Sequence, residues 1–429
     1  MAIFLRAGSR SRFHGTGPCS RRTGVAVLAT IFLAVVGAAS AAPISFEQAL
    51  LLAEQRSAAL TARQAAADGA QQARTAAGQL PDPKLAVGIE NFPVSGPERF
   101  SWNRDSMTMR RVGLMQDVPN AARRAAQRDA ADAKAARERA LLEAERLAVR
   151  REAALAWMGL HFAQRRLAVF AALEQENRLL QDTLAARLAS GAAMPADALM
   201  ARQETLELAD RRDELQAAAE QARAQLRRWT GEPAELSAHG EPPALGLDLA
   251  RLLGSLDRHA DLLAFAPMLA MARADVEEAT AMRHGDWGWE VAYGNRARAF
   301  GDMVSFQLTF ELPVSRAARQ EPVVASRQKE VERLQAERED ALRRVRAEAD
   351  ALVAELQRAE RVLQRLQTAA LPLAKERVQV TLASYQAGRA DLGAVLTARK
   401  SAAEVQLRAL DLQAQMLAQQ ARLAYLIAE

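Results

Sequence analysis

The nine residues Val304-Ser-Phe-Gln-Leu-Thr-Phe-Glu-Leu312 alternate strictly between apolar and polar side chains. Just upstream, Trp287-Gly-Trp-Glu-Val-Ala-Tyr293 alternates in the same way. A period of two residues is typical of a β-strand with one apolar face, and the short polar segment between the two runs suits a turn. These residues predict a β-hairpin that carries its aromatic side chains on one face.

An earlier part of the chain holds a less regular version of this pattern. Leu85, Val87 and Ile89 alternate with small or polar residues, and a second apolar stretch runs from Met107 to Val118. The segment Pro93 to Asp105 between them has the composition of an exposed loop. We therefore predict a second hairpin here, which brings the number of strands per chain to four.

Long helices occupy most of the remaining sequence. No glycine or proline occurs between Pro322 and Pro372, where apolar residues recur at steps of three and four; they are Leu342, Val345, Ala349, Leu352, Leu356, Ala359, Leu363, Leu366 and Ala370. This spacing is the heptad pattern of helices that pack as coiled coils. Fifty helical residues would extend about 75 Å. Residues 120–158, 160–190 and 392–428 are also predicted to be helical.

Equivalent features recur in the two halves of the chain. Gly191 and Gly388 are 197 residues apart, as are Leu199 and Leu396. We predict a duplicated unit, with a first structural repeat at 42–245 (hairpin at about 84–118) and a second at 246–429 (hairpin at about 286–313).

The first 41 residues have the features of a secretory signal peptide. Five arginines and no acidic residue precede an apolar run at 25–36, which ends in Ala39-Ser-Ala41. The run is shorter than the ~20 residues of a membrane-spanning helix. Removal of 1–41 would take five of the 57 basic residues, none of the 52 acidic ones, and the single cysteine, Cys19. The mature chain would begin at Ala42 with no net charge, so the high pI does not indicate a nucleic-acid partner.

The predicted strands have the length and composition of membrane strands. Nine to eleven residues with aromatic side chains near the ends match a strand that crosses an outer membrane. The candidate membrane residues are Trp287, Trp289, Tyr293, Phe306 and Phe310. Four strands cannot close a barrel, and an open edge in lipid would leave backbone groups unsatisfied. Several chains must therefore contribute strands to one barrel in the bacterial outer membrane, with the helices projecting into the periplasm.

At this point the sequence resembles the TolC-type outer-membrane efflux family over nearly all of the mature chain. The resemblance rests on the duplicated layout, the strand ends at Pro119 and Pro313, and Tyr385-Gln-Ala-Gly388. The segments Gly88-Ile-Glu-Asn-Phe-Pro93-Val-Ser-Gly96, Met107-Thr-Met109 and Gly113-Leu-Met-Gln-Asp-Val-Pro119 are similar to the heavy-metal efflux branch.

The resemblance implies a mainly α-helical fold with a membrane β-barrel. It implies a homotrimer in which three chains form a twelve-strand barrel in lipid and an α-barrel of twelve long antiparallel helices. The implied function is a passive exit duct for metal cations, coupled through a periplasmic adaptor to an inner-membrane RND-type pump. An outlet for drugs or for type I protein secretion, and a periplasmic coiled-coil scaffold, are the alternatives.

The two glycine turns are predicted to form the periplasmic tip of the duct. Family members commonly carry an aspartate six residues after the turn glycine, and Asp197 stands six residues after Gly191. The second copy has Ala394 at that position, although Asp391 follows Gly388 by three residues. The aspartates either line a cation-favouring aperture or stabilise the starts of their helices.

The sequence holds no pattern that predicts catalysis, a cofactor or a metal site. We find no nucleophile elbow, P-loop, dinucleotide fingerprint or metalloprotease motif. The histidines of the mature chain are scattered without ligand spacing, at His161, His239, His259 and His284. Met107, Met109 and Met115 are predicted to be lipid-facing or packing residues rather than metal ligands. We therefore do not expect an enzyme, and in particular we do not expect an envelope hydrolase.

Overall fold

The structure is a computed structural model that describes residues 42–191, 193–232 and 235–428. The predicted signal peptide at 1–41 lies outside the described residues. The strands are β1 (Ala42–Ile44), β2 (Lys84–Glu90), β3 (Met109–Val118), β4 (Leu236–Ala238), β5 (Trp287–Asn295) and β6 (Met303–Phe310). The helices are α1 (Phe46–Arg56), α2 (Ala58–Ala76), α3 (Ala121–Ala189), α4 (Pro195–Thr230), α5 (Leu249–Gly254), α6 (Phe265–Ala281), α7 (Gln320–Arg365), α8 (Leu371–Gln386) and α9 (Leu392–Ala424).

Helix α3 is the longest element, with 69 residues and a length of about 100 Å. The sequence predicted two runs, 120–158 and 160–190, but the helix continues through Gly159 without a break. It begins at the N-cap Asn120, whose side chain accepts a hydrogen bond from the backbone N–H of Arg123. It ends just before Gly191, which takes a φ of +71°. Glycine adopts this left-handed conformation at little cost, so the chain can reverse there.

The corresponding rod in the second half consists of α7, one π-helical turn at Leu366–Ala370, and α8. The heptad pattern in the sequence was followed only as far as Pro372, and helical structure continues past it to Gln386. Proline has no N–H to donate and would leave a carbonyl of the preceding turn unpaired. In the π turn the N–H of Leu371 donates to the carbonyl of Leu366, which widens the helix directly before the proline.

Four strands form one antiparallel sheet in the order β2-β3-β5-β6. Strands β3 and β5 bring the two predicted hairpins together, with Leu114 opposite Val291. Across the second hairpin Val291 is opposite Phe306. Strand β6 ends at Phe310, two residues before the end of the alternating sequence. The sheet has two edges, β2 and β6, and neither edge pairs with another described strand.

The main core lies around the middle of α3, far from the sheet. Here β1 and β4 pair in parallel, and α1 packs against α3. Trp157 is fully buried, and its ring N–H donates to the carbonyl of Ile44 at 2.9 Å. Within the described ranges, no helix is long and apolar enough to cross a membrane.

Candidate functional site

One face of the four-stranded sheet is apolar and exposed. Trp287, Val291 and Tyr293 on β5 are exposed, whereas Gly288, Ala292 and Gly294 on the opposite face are buried. The register places Phe310 opposite Trp287, Leu308 opposite Trp289 and Phe306 opposite Val291. All five aromatic residues that the sequence singled out therefore share this face, which we call the outer face. It continues through Val112 and Leu114 on β3 to Leu85, Val87 and Ile89 on β2.

The opposite face, which we call the inner face, is polar. Arg111 forms ion pairs with Glu90 on β2 and, at 2.8 Å, with Glu290 on β5. Nearer the helices, Lys84 pairs with Asp117 at 2.7 Å. These ion pairs run across neighbouring strands, where opposite charges stabilise a sheet. The alternation of apolar and polar residues could have assigned Arg111 and Glu290 to the same polar face. It could not have shown that they are neighbours, because they are 179 residues apart in the chain.

The sequence left open whether the methionines face lipid or pack within the protein, and Met109 and Met115 lie on the inner face of the sheet. Met109 lies two positions before Arg111 and Met115 lies four positions after it. Side chains an even number of positions apart in a strand share a face. Met109 covers Gly294, where a Cβ atom would meet the Met109 sulfur at 2.7 Å. A packing role is therefore observed for Met109. Met107 precedes the strand and is exposed.

A hydrogen-bonded junction joins the sheet to the start of α3, and the sequence did not reveal it. The Asn120 side chain donates to the carbonyls of Ala281 and His284, and its backbone N–H donates to Asp286. Arg123 forms an ion pair with Asp286 at 2.7 Å. Burial lowers the pKa of Arg123, but the hydrogen bond and charge of Asp286 outweigh it and raise the pKa. Residues of the two halves are thus fixed to each other where strands give way to helices.

The far ends of the helices form a tip in which four predicted residues come together. Gly191 and Gly388 line one cleft together with Asp197 and Asp391. Gly388 has a φ of +70°, nearly the same as Gly191. The α3–α4 and α8–α9 turns therefore lie together, at the ends of the helices that are far from the sheet. A small apolar cluster beneath the cleft contains Leu180, Leu184, Ala201, Tyr385, Leu392 and Val395.

Both aspartates of the tip accept hydrogen bonds from helix-start backbone groups. Asp197 is 9 % exposed, and its carboxylate accepts from the N–H of Met194 at 2.9 Å. Asp391 is exposed and accepts from the N–H of Ala394 at 2.7 Å. The predicted capping contribution is thus present for both, and the aperture role stays a prediction. The Arg187 guanidinium also lies 4.2 Å from the Tyr385 ring centre, a contact between the two turns that the sequence did not indicate.

The histidines do not converge on a site. His161 is buried and stacks on Trp157 with ring centres 5.2 Å apart. His259 is buried elsewhere, where its Nδ1 accepts from the backbone N–H of Asp261. In the part of the chain that the structure describes, no three His, Cys, Asp or Glu residues are grouped closely enough to hold a metal ion.

Comparison by sequence finds neither a matching protein-family model nor a similar curated protein. Comparison by structure does find neighbours. A CusC structure, described in connection with folding and transmembrane channel formation, superposes with a TM-score of 0.75 at 16% identity, over 89% of this chain and 92% of that chain.

Two further neighbours are an outer-membrane protein and an outer-membrane channel. The outer-membrane protein VceC from Vibrio cholerae superposes with a TM-score of 0.72 at 19% identity, over 89% of this chain and 94% of VceC. The CmeC outer-membrane channel from Campylobacter jejuni gives 0.71 at 11% identity, over 89% and 85%. The likeness confirms the predicted fold class over almost all of the described chain.

Proposed function

We propose that this chain, which has the fold of the TolC-type outer-membrane channels, is the protomer of a trimeric exit duct in a bacterial outer membrane. In this proposal the protein is a passive conduit and not an enzyme. A periplasmic adaptor connects it to an inner-membrane RND-type pump, which supplies the energy. The solved neighbours support the duct role through their shared fold.

The observation that carries the proposal is the four-stranded sheet with two unpaired edges. Because successive strands are antiparallel, β2 and β6 run in opposite directions. Strand β6 of one chain can therefore pair with β2 of the next in the same antiparallel sense. Three chains would give twelve strands and no edge. Closure matters in lipid, where each unpaired backbone group costs several kcal/mol.

The two faces of the sheet support the same arrangement. In outer-membrane barrels the outward face is apolar and flanked by aromatic residues, and the interior is polar. Trp287 and Phe310 lie at the helix end of the outer face, and Tyr293 lies near the loop end. The ion pairs of Arg111 and Lys84 would then line a water-filled lumen. Helices of about 100 Å would extend from the membrane into the periplasm.

The proposed cargo is a metal cation, because the sequence at 88–96, 107–109 and 113–119 is similar to the heavy-metal branch. Co-expression with a metal-exporting pump and adaptor, or with a drug-exporting pair, distinguishes the cargo classes. Restored metal tolerance in a strain without its own duct supports this cargo. If only drug tolerance is restored, the cargo is a drug and not a metal cation, and the proposed duct role still holds.

Cysteine cross-linking tests the closed trimer directly. Single cysteines are placed on the inner face of β2 (at Ala86, Gly88 or Glu90) and combined in one chain with one on β6 (at Met303, Ser305 or Gln307). We expect at least one pair to give covalent trimers in the outer-membrane fraction, since β2 and β6 of one chain are separated by two strands.

A matched pair within one chain serves as the control. Leu114→Cys with Val291→Cys joins residues that are directly opposite each other on β3 and β5, so it should give no covalent oligomer. N-terminal sequencing of the same material should give Ala42. Material that fractionates as a soluble monomer and forms no covalent oligomer with any pair would favour the periplasmic scaffold.

A further inference from the structure

The loop end of the sheet, opposite the helices, carries a basic residue on the otherwise apolar outer face. Arg110 lies in the same column of β3 as Val112 and Leu114, and it is exposed. Ile89 lies beside it on β2 and is 48% exposed. An arginine in this column would be costly at the centre of a bilayer but not near its surface. Its position therefore marks the boundary between the apolar band and the loops.

Trp102 lies against Arg110 at this boundary. The guanidinium carbon of Arg110 is 5.8 Å from the centre of the Trp102 ring. Trp102 also contacts Phe92, with ring centres 5.0 Å apart, yet it remains 46% exposed. Tryptophan is enriched at membrane interfaces because its ring is apolar and its N–H is polar. The loop thus presents an ordered cation and an interfacial aromatic ring side by side.

The loops have more available cations than anions. Arg99, Arg104 and Arg298 are exposed, and within the described residues neither they nor Arg110 pairs with a carboxylate. The nearby aspartates are already engaged in the loops themselves. Asp105 accepts from the Met107 N–H and the Thr108 hydroxyl.

The second loop holds the other aspartate in the same way. Asp302 accepts from the Tyr293 hydroxyl and from Asn295. Arg296 is also occupied, since it donates to the carbonyls of Gly301 and, on the first loop, Ser106. The two loops are therefore tied together. Of the loop carboxylates in the described residues, only that of Glu98 has no hydrogen bond or ion pair, so the unpaired arginines outnumber it and can bind an external anion.

We propose that Arg110 and Trp102, assisted by Arg99 and Arg104, bind the phosphate groups of lipid A, the phosphorylated glycolipid of the outer leaflet. A guanidinium matches phosphate oxygens with two parallel hydrogen bonds, and basic sites next to membrane-facing surfaces recognise anionic head groups. The acyl chains would lie along Val112, Leu114 and Ile89 below. This inference rests on the proposed outer-membrane location, because it assigns the loop end to the outer leaflet.

Binding of lipid A to the purified trimer, followed by native mass spectrometry, tests the site. We expect Arg110→Gln to raise the dissociation constant for lipid A about tenfold, which corresponds to about 1.4 kcal/mol. Arg110→Lys should retain part of the binding, and Trp102→Ala should weaken it. Dephosphorylated lipid A should bind the unaltered protein and Arg110→Gln equally weakly.

Arg178→Gln is the matched control, since Arg178 is an exposed arginine on α3 without a carboxylate partner in the described chain. It should bind lipid A as the unaltered protein does. Equal affinity of Arg110→Gln and the unaltered protein, or no preference for the phosphorylated lipid, would overturn the proposal. If such variants still form outer-membrane trimers, only the lipid site fails. Failure of the unaltered chain to reach the outer membrane would instead reject the duct.

Discussion

Gly285 shows how a single side chain would disturb the base of the second hairpin. The backbone N–H of Glu311 donates to the carbonyl of Asp286 at 2.9 Å, which brings the end of β6 close to Gly285. A Cβ atom on Gly285 would lie 1.8 Å from the carbonyl oxygen of Glu311. We expect Gly285→Ala to push these backbones apart and to destabilise the protein by about 1–3 kcal/mol, as overpacking does elsewhere. A lower thermal midpoint of the purified protein would show this.

Gly246→Ala is the control for this substitution, because nothing lies within 4 Å of a Cβ atom at Gly246 and its φ is not positive. Its thermal midpoint should stay within a degree or so of the unaltered protein, as is usual for open surface sites. Equal midpoints for both variants would mean that the Glu311 carbonyl leaves room for a Cβ atom at Gly285.

His161 should make stability depend on pH. Burial, together with the charge of Arg165, lowers its pKa below the usual value of 6.5, and Glu241 only partly opposes this. Its buried Nε2 atom has no hydrogen-bond partner. Below about pH 6.5 the unfolded chain gains a proton that the folded chain does not, so the free energy of unfolding falls. The loss continues until the pH reaches the lowered pKa of the folded state.

Thermal midpoints measured between pH 7.5 and 5 test this dependence. His161→Phe keeps an aromatic ring beside Trp157 but cannot be protonated, so its midpoint should fall less steeply with acid. The control is His239→Gln, since His239 is exposed and the slope should not change. If the thermal midpoint falls equally steeply with pH in all three proteins, the acid sensitivity comes from other groups, such as His259.

Sequence spacing located the tip residues but not their contacts. The 197-residue offset identified Gly191 and Gly388 as equivalent turns, and the structure brings them to one cleft. It could not show that Arg187 lies over Tyr385, because the two residues come from different halves of the chain. Local patterns specify turns and caps, whereas contacts between halves depend on how the rods pack.

At the scale of elements, periodicity was enough to predict all four strands of the sheet. It was less informative about where the helices end. The heptad pattern was followed to Pro372 and did not show that α7 and α8 form one rod, with a π turn directly before the proline. In the first half, α3 has no proline and remains a regular helix over a similar length. The π turn thus accommodates a proline that would interrupt a regular α-helix.

A charged residue should prevent membrane insertion on one face of β6 and be tolerated on the other. Phe306 lies on the outer face, where an arginine costs about 2–4 kcal/mol at mid-bilayer, and a trimer incurs this cost three times. Gln307 lies on the inner face opposite Glu290, which could pair with an arginine. We expect Phe306→Arg, and likewise Phe310→Arg, to prevent stable insertion of the trimer. Gln307→Arg should insert normally.

Trimer yield in outer-membrane fractions, measured on unheated gels, compares these variants. Each replaces a strand residue by the same arginine, so the comparison isolates the face from the change in net charge. Equal yields for Phe306→Arg and Gln307→Arg would show that the assignment of the outer face to lipid is wrong.

At the scale of the whole molecule, the proposed trimer rests on the two edges of the sheet, which no other described strand covers. Counting strands in the sequence had already predicted that several chains share one barrel. It left open whether the methionines of β3 face lipid or pack within the sheet. The face of a strand follows from its register with its neighbours, and Met109 and Met115 follow Arg111 to the inner face.

The electrical properties of the assembled duct should depend on Asp197. If three copies of the tip meet near the axis, as in the proposed trimer, like charges in a narrow passage would favour cations. Asp197 also accepts a hydrogen bond from Met194, so an alanine would remove both the charge and the cap. Asparagine separates the two roles, because it can still accept that bond but carries no charge.

Single-channel recordings in planar bilayers should therefore show a changed conductance or a weaker cation preference for Asp197→Asn as well as for Asp197→Ala. Asp391→Asn is the matched control: it removes the charge at the second turn but keeps an acceptor for the Ala394 N–H, and we expect a smaller effect. A change in Asp197→Ala that is absent from Asp197→Asn would assign the residue to capping alone, worth about 0.5–2 kcal/mol to its helix. The constriction would then have to be formed by other residues of the tip, since neither charge would govern the passage of ions.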